Sequence, residues 1–180
     1  METKAVSYAL ITARAGSTRL PRKNHALIDG VPLWRRAVDF ATEARLRPIV
    51  DTDDEDILSQ LDISFCLSHR RKTLPESQGG THWQAIEDVC KDFGLCSFVL
   101  LQPTSPYRSL SVLESCLTKF DGSGPVLTHD GDYTWDGNIG IWSYPVIREN
   151  PKWVRNDTGL SLQIDTKYDY LMARLTPRQG

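Results

Sequence analysis

Short apolar runs alternate with amphipathic stretches along the first two thirds of this chain. Val6 to Thr12 is an apolar run of the length of a buried strand. From Leu33, the positions Leu33, Ala37, Phe40, Ala41 and Ala44 recur at helical spacing with Arg35, Arg36 and Asp39 between them. Pro48–Val50 reads as a second strand, and Asp53 as the cap of a helix running to about Leu61. Ile63 to Leu67 is a third strand candidate. Trp83, Ile86, Val89 and Cys90 mark a helix, Ser97 to Leu101 a strand, Leu110 to Lys119 a helix and Pro125 to Thr128 a strand. Ile139 to Trp142 and Leu160 to Ile164 read as later strands, and Tyr168 to Leu175 as a closing helix. Such alternation predicts an α/β fold: a mostly parallel sheet with helices on both faces. Ligands of such sheets sit beyond the carboxyl ends of the strands, so chemistry is expected in the loops after Thr12, Val50, Leu67 and Leu101.

Composition narrows the class. A chain of 180 residues is expected to form one domain, 1–180. Lys plus Arg number 21 and Asp plus Glu 23, a formal charge of −2, which provides no overall field for nucleic acid or an anionic membrane. No apolar run approaches the ~20 residues that cross a bilayer. The first residues lack a basic segment followed by a long apolar core, so the expectation is a soluble, cytoplasmic protein. Cys66, Cys90, Cys96 and Cys116 form no CxxC pair and are expected to be reduced and buried, with no zinc site.

The loop after the first strand carries the clearest chemistry. Ala13 to Asn24 reads ARAGSTRLPRKN, with Arg14, Arg19, Arg22 and Lys23 and no acidic residue. Backbone N–H groups beside Gly16 and Ser17 can approach phosphate oxygens closely. Arginine adds bidentate contacts and lysine a point charge. The loop is not a Walker A motif, and a solvated basic turn has the same composition.

ARxxSxxLPxKN after a first strand resembles the signature of the sugar-acid cytidylyltransferases, the CMP-sialic acid synthetases and their CMP-3-deoxy-octulosonate relatives. VDTDDEDI at 50–57, LQPTSPYR at 101–108 and IDTKYDY at 164–170 resemble further motifs of that family in the same order. The resemblance implies a three-layer α/β sandwich of Rossmann-like, nucleotide-diphospho-sugar transferase type. It also implies transfer of CMP from CTP to an acidic sugar, with release of pyrophosphate and use of Mg²⁺.

Residue by residue, Arg14 matches the family's triphosphate contact. Ala13, Gly16, Ser17, Lys23 and Asn24 match its phosphate-loop or nucleotide contacts, although Asn24 also suits a plain turn. RRKTLPESQGGTHWQAI at 70–86 resembles the cytosine-reading segment, which puts Arg70, Gly79 and Thr81 at the base and Ser77 in place of a family aspartate. A one-residue shift makes Arg71 or Lys72 the contact instead. Gln102 is placed to orient the sugar or a phosphate. Arg108 is either a reader of the substrate carboxylate or a surface arginine at a helix start.

On a strand, Gln163 and Asp165 share one face. Sialate-type members carry Asp-x-Asp there for Mg²⁺ and the octulosonate type a single aspartate, so Asp165 is the expected metal ligand, its alternative role being a helix cap. With Arg14 and Lys23 it forms the expected catalytic set. The acidic run Asp51, Asp53, Asp54, Glu55 and Asp56 reads chiefly as a helix N-terminus rather than a second metal site.

Two departures qualify the resemblance. THDGDYTW at 128–135 stands where the family places its dimerisation arm, which puts the usual dimer in doubt. Asp136 stands where an asparagine holds the sugar, and a carboxylate facing an acidic sugar repels it unless turned away. The expected partners are therefore CTP and an acidic 2-keto-3-deoxy sugar. The alternatives are another sugar or sugar phosphate as acceptor, or a nucleotide-binding regulator without turnover.

Overall fold

A computed structural model describes residues 6–73, 79–145, 149–156 and 162–176. Nine strands and five helices follow in the order β1 (Tyr8–Thr12), β2 (Leu27–Ile28), β3 (Val31–Pro32), α1 (Leu33–Glu43), β4 (Arg47–Thr52), α2 (Glu55–Gln60), β5 (Leu67–Arg70), α3 (His82–Phe93), β6 (Ser97–Leu100), α4 (Leu110–Lys119), β7 (Val126–His129), β8 (Gly140–Ser143), β9 (Lys152–Arg155) and α5 (Lys167–Leu175) among the described residues. β2 and β3 form a small hairpin, and the other seven strands form one sheet in the order β5-β4-β1-β6-β8-β7-β9. β5, β4, β1 and β6 run parallel, β8 is antiparallel to both β6 and β7, and β9 is parallel to β7.

The pleat sorts side chains between two cores. Ala9, Ile11, Val50, Val99 and Leu101 pack on one face with Trp34, Ala37, Val38 and Ala41 of α1 and Val112, Leu113 and Cys116 of α4. Leu10, Ile49, Phe98 and Leu100 pack on the other with Ile86, Val89 and Cys90 of α3. A third cluster joins Ile28, Leu33, Ile164 and Ala173, which fastens the hairpin and α5 to the start of α1. This is the expected α/β sandwich with helices on both faces.

Several boundaries differ from the sequence pattern. The third strand is Leu67–Arg70 rather than Ile63–Leu67, and Ile63 is an exposed apolar residue. Asp54, not Asp53, caps α2, its Oδ1 accepting from the Asp56 and Ile57 N–H groups. Residues 162–165 form no strand; Ile164 N–H donates to the Thr104 carbonyl, 2.8 Å away. Leu160 lies outside the described residues. β9 has no counterpart in the apolar pattern, because an edge strand reading KWVR buries only Val154 fully. Cys66, Cys90 and Cys116 are buried as expected, whereas Cys96 is exposed.

Candidate active site

The carboxyl ends of β1, β4, β5 and β6 open onto one cavity of about 540 Å³. Its walls come from Thr12 and the loop after β1, Asp53 after β4, Arg71 and Thr73 after β5, Gly80 to His82 at the start of α3, and Gln102 to Thr104 after β6. Gln163 and Asp165 close it from the segment before α5.

The basic loop is pinned at several points. Ala13 N–H donates to the Asp51 carbonyl and the Thr52 hydroxyl to the Ala13 carbonyl, 2.9 and 2.6 Å. Ala15 N–H donates to Asp53 Oδ1 at 2.6 Å, and the Asn24 amide to the Arg14 carbonyl at 2.9 Å. Gly16 has φ +75°, in the left-handed region where a side chain is strained. A 3-10 turn over Lys23–His25 then aims Lys23 back across the cavity. Its ammonium donates to Asp165 Oδ1 at 2.7 Å, and Arg19 reaches the same oxygen at 3.5 Å.

Thr166 caps α5 in a reciprocal box with Asp169, its hydroxyl accepting from the Asp169 N–H while the Asp169 carboxylate accepts from the Thr166 N–H. Thr166 thus does the capping that was the alternative role for Asp165, whose carboxylate faces the cavity instead. Thr81 caps α3 in the same way with Gln84. Its oxygen accepts from the Gln84 N–H at 3.2 Å, while its own proton stays available to an acceptor in the cavity.

Residues 8–75 match the cytidylyltransferase family. A curated 3-deoxy-manno-octulosonate cytidylyltransferase from Chlorobium chlorochromatii is 32% identical over 120 residues, 64% of this chain and 46% of that protein. The chain thus spans about half the length of the curated relatives it matches. Among solved structures, a nucleotidyl transferase from Methanothermobacter superposes with a TM-score of 0.72 at 16% identity, over 94% of this chain and 96% of that one. A CMP:2-keto-3-deoxy-manno-octonic acid synthetase complexed with CTP gives 0.56 at 19% identity, over 68% of this chain and 52% of that one. Likeness at these identities establishes the fold, an α/β sandwich with a mostly parallel sheet.

Of the residues expected from the cytidylyltransferase resemblance, Arg14, Gly16, Ser17, Lys23, Asn24, Thr81, Gln102 and Asp165 line the cavity together. Ala13 is buried beneath the loop. Gly80 rather than Gly79 reaches the wall, and Ser77 lies outside the described residues.

Three expected contacts lie elsewhere. Arg70 points away and pairs through both terminal nitrogens with Glu55, while Arg71 lines the cavity. Successive strand residues face opposite sides, so a one-residue shift exchanges one for the other. Arg108 turns inward, donating through Nε to the Asn138 carbonyl at 3.2 Å and through a terminal nitrogen to the Gln102 carbonyl, and burial lowers its pKa. It fastens the Gln102 and Asn138 segments to each other.

Asp136 is the third. Its Oδ1 accepts from the Thr128 hydroxyl and the Asn138 N–H, and its Oδ2 from the Asn156 amide at 2.8 Å. Those donors hold its carboxylate as a brace between β7, β8 and β9.

The metal expected from the resemblance can be tested against the donor set. Both cations approach Oδ1 of Asp165, and among the described residues no donor binds Oδ2. One carboxylate oxygen beside a basic loop fits Mg²⁺, which takes one or two carboxylates and completes its shell with phosphate oxygens and water. His25, Asp54 and Asp56 also come together, with ligand atoms within 4.8 Å of one another. Their atoms are committed to neighbours: Asp54 caps α2 and accepts from His25, and Asp56 pairs with Arg22.

The sequence pattern missed Asp53, Gly80 and His82 as cavity residues. The DTDD run contains the signal for Asp53, since the first aspartate past a parallel strand stands at the strand's carboxyl end.

Proposed function

We propose that this protein transfers CMP from CTP to an acidic 2-keto-3-deoxy sugar of the octulosonate class, releasing pyrophosphate. The observation that carries this reading is the convergence of Arg14, Gly16, Ser17, Lys23 and Asp165 on one cavity at the carboxyl ends of parallel strands. The family match over residues 8–75 supports it. So does the engagement of the Asp136 carboxylate by Thr128, Asn138 and Asn156, which keeps it out of the cavity wall.

In this reaction the anomeric hydroxyl attacks the α-phosphorus in line and pyrophosphate leaves. Pinned N–H groups and cations that need no rearrangement stabilise charge as it develops on the phosphates. The Arg14 guanidinium and the backbone around Gly16 and Ser17 take the triphosphate oxygens. Lys23, held against Asp165, places its ammonium where the leaving group gathers charge. Asp165 Oδ2 would hold the magnesium ion, which when bound neutralises triphosphate charge. Little covalent work falls to the protein in phosphoryl-group chemistry, and the proton of the attacking hydroxyl passes to solvent water.

The test is pyrophosphate release from CTP with 3-deoxy-manno-octulosonate, sialic acid and a neutral sugar phosphate offered separately. Release with octulosonate above the others supports the proposal. Release with the sugar phosphate alone makes the protein a nucleotidyltransferase of another acceptor, and binding without release makes it a nucleotide-binding regulator.

A further inference from the structure

The acidic run after β4 holds a residue that helix capping does not explain. Asp51 lies inside β4 with no exposed surface, paired in register with His69 of β5. Burying an ionised carboxylate is costly unless it is met by charge and hydrogen bonds. Two side chains meet it. Arg71 donates to Asp51 Oδ2 through Nε, at 2.8 Å, and through a terminal nitrogen. His69 donates from Nδ1 to Asp51 Oδ1 at 2.9 Å.

The ring is held from its other side as well, with Nε2 3.1 Å from Asp92 Oδ2 on α3, an oxygen that Lys72 also reaches. The ring is thereby fastened between β4 and α3. Strand parity builds the device. His69 and Arg71 face the α3 side, Arg70 faces the other, and Arg71 N–H extends the ladder by donating to the Thr52 carbonyl at 2.9 Å.

A free arginine samples many rotamers, and fixing one costs entropy at each binding event. Here two N–H groups of the fork are already bound below, and the Arg71 side chain, only 10% exposed, forms part of the cavity wall beside Thr73 and Thr81. We infer that Asp51 is a positioning residue: braced by His69, it fixes the Arg71 guanidinium at the cavity wall so that a nucleoside triphosphate meets it already aligned. This inference rests on the proposed nucleotide chemistry of the same cavity.

The test is a double-mutant cycle on nucleotide binding, with Asp51→Asn, Arg71→Lys and the pair, titrated with CTP, UTP and ATP. Each single variant is expected to bind CTP about tenfold more weakly, and the pair no more weakly than Arg71→Lys within about twofold, because one interaction is lost in all three. In turnover the loss is expected in KM, with kcat at saturation kept within about threefold. A purely structural role would lower the denaturation midpoint and leave the affinity of the folded protein intact.

Arg71→Lys keeps the charge opposite Asp51, so it serves even where Asp51→Asn does not fold; it cannot bind below and present a second nitrogen above. Unchanged nucleotide affinity in Arg71→Lys overturns the inference and leaves the proposed function standing. Wild-type protein that prefers another nucleotide, weakened by the same variants, overturns the cytidylyl reading and leaves the inference standing. Wild-type protein that binds no nucleotide overturns both.

Discussion

Lys23 and Asp165, separated by 142 positions in sequence, meet at 2.7 Å between Nζ and Oδ1. The contact joins the end of the basic loop to the segment before α5. Lys23 is 17% exposed and Asp165 34%, so the pair sits where solvent screens it only in part. Each residue holds the other at the cavity wall: the carboxylate anchors the ammonium, and the ammonium occupies Oδ1.

Asp165→Asn is therefore expected to lower kcat/KM by roughly 10²-fold or more, the scale seen when one charge-stabilising group is lost. Stability falls by only about 1 kcal/mol, because an amide oxygen still accepts from Lys23. Steady-state pyrophosphate release, read alongside a urea denaturation curve, checks both. Activity within twofold of wild type removes Asp165 from the mechanism.

Asp136→Ala is expected to act on stability rather than on sugar choice. Three donors from Thr128, Asn138 and Asn156 lose their acceptor at once. Leaving such groups unpaired costs about 3 kcal/mol. Chemical denaturation measures the loss, and the ratio of kcat/KM between two acidic sugars stays at the wild-type value if the carboxylate never faces the substrate.

Gly137→Ala tests the amide wall. Gly137 has φ +72°, and a Cβ there would stand 1.5 Å from Gln163 Nε2 and 2.9 Å from Gln102 Oε1. Gln163 also donates to the Asp136 carbonyl at 3.0 Å, so displacing it opens the cavity wall. Left-handed strain alone costs of order 1–2 kcal/mol. The expected outcome is a lower denaturation midpoint together with a raised KM for the acceptor sugar, measured at saturating CTP.

The fold was legible wherever burial wrote a period into the sequence. Tyr8–Thr12, Leu33–Glu43 and Leu110–Lys119 are continuous runs or helical stripes against the sheet, and their residues show it. The apolar pattern misplaces β5 because its buried inward face is polar: LSHR buries a histidine for Asp51, whereas the apolar Ile63 nearby is exposed. The basic loop was legible from charge and glycine. The choice between Arg70 and Arg71 depended on strand parity, which a wrongly placed strand could not supply. Nor could local pattern reveal that Asp136 is spent on Thr128, Asn138 and Asn156, because those partners come from three different segments.

Thiol titration gives a pH dependence with a definite sign. Burial pushes Cys66 to about 11 and Cys90 and Cys116 to about 12, from an ordinary value of 9.0. The unfolded chain loses these protons first, so their contribution to stability is complete below pH 9 and is lost as pH rises toward 11–12. At pH 8 a thiol reagent is expected to label Cys96 alone in the native protein and all four cysteines in denaturant. Denaturation curves between pH 9 and 10.5 are expected to fall less steeply in Cys90→Ala than in wild type, by up to about 1.4 kcal/mol per pH unit.

The most direct test of the cytidylyltransferase account is calorimetric titration of the protein with CTP, UTP, ATP and GTP, each with and without Mg²⁺. The account predicts that CTP binds at micromolar concentration, more tightly than the other three, and that magnesium strengthens its binding. Equal affinity for all four nucleotides, or binding indifferent to magnesium, would contradict it.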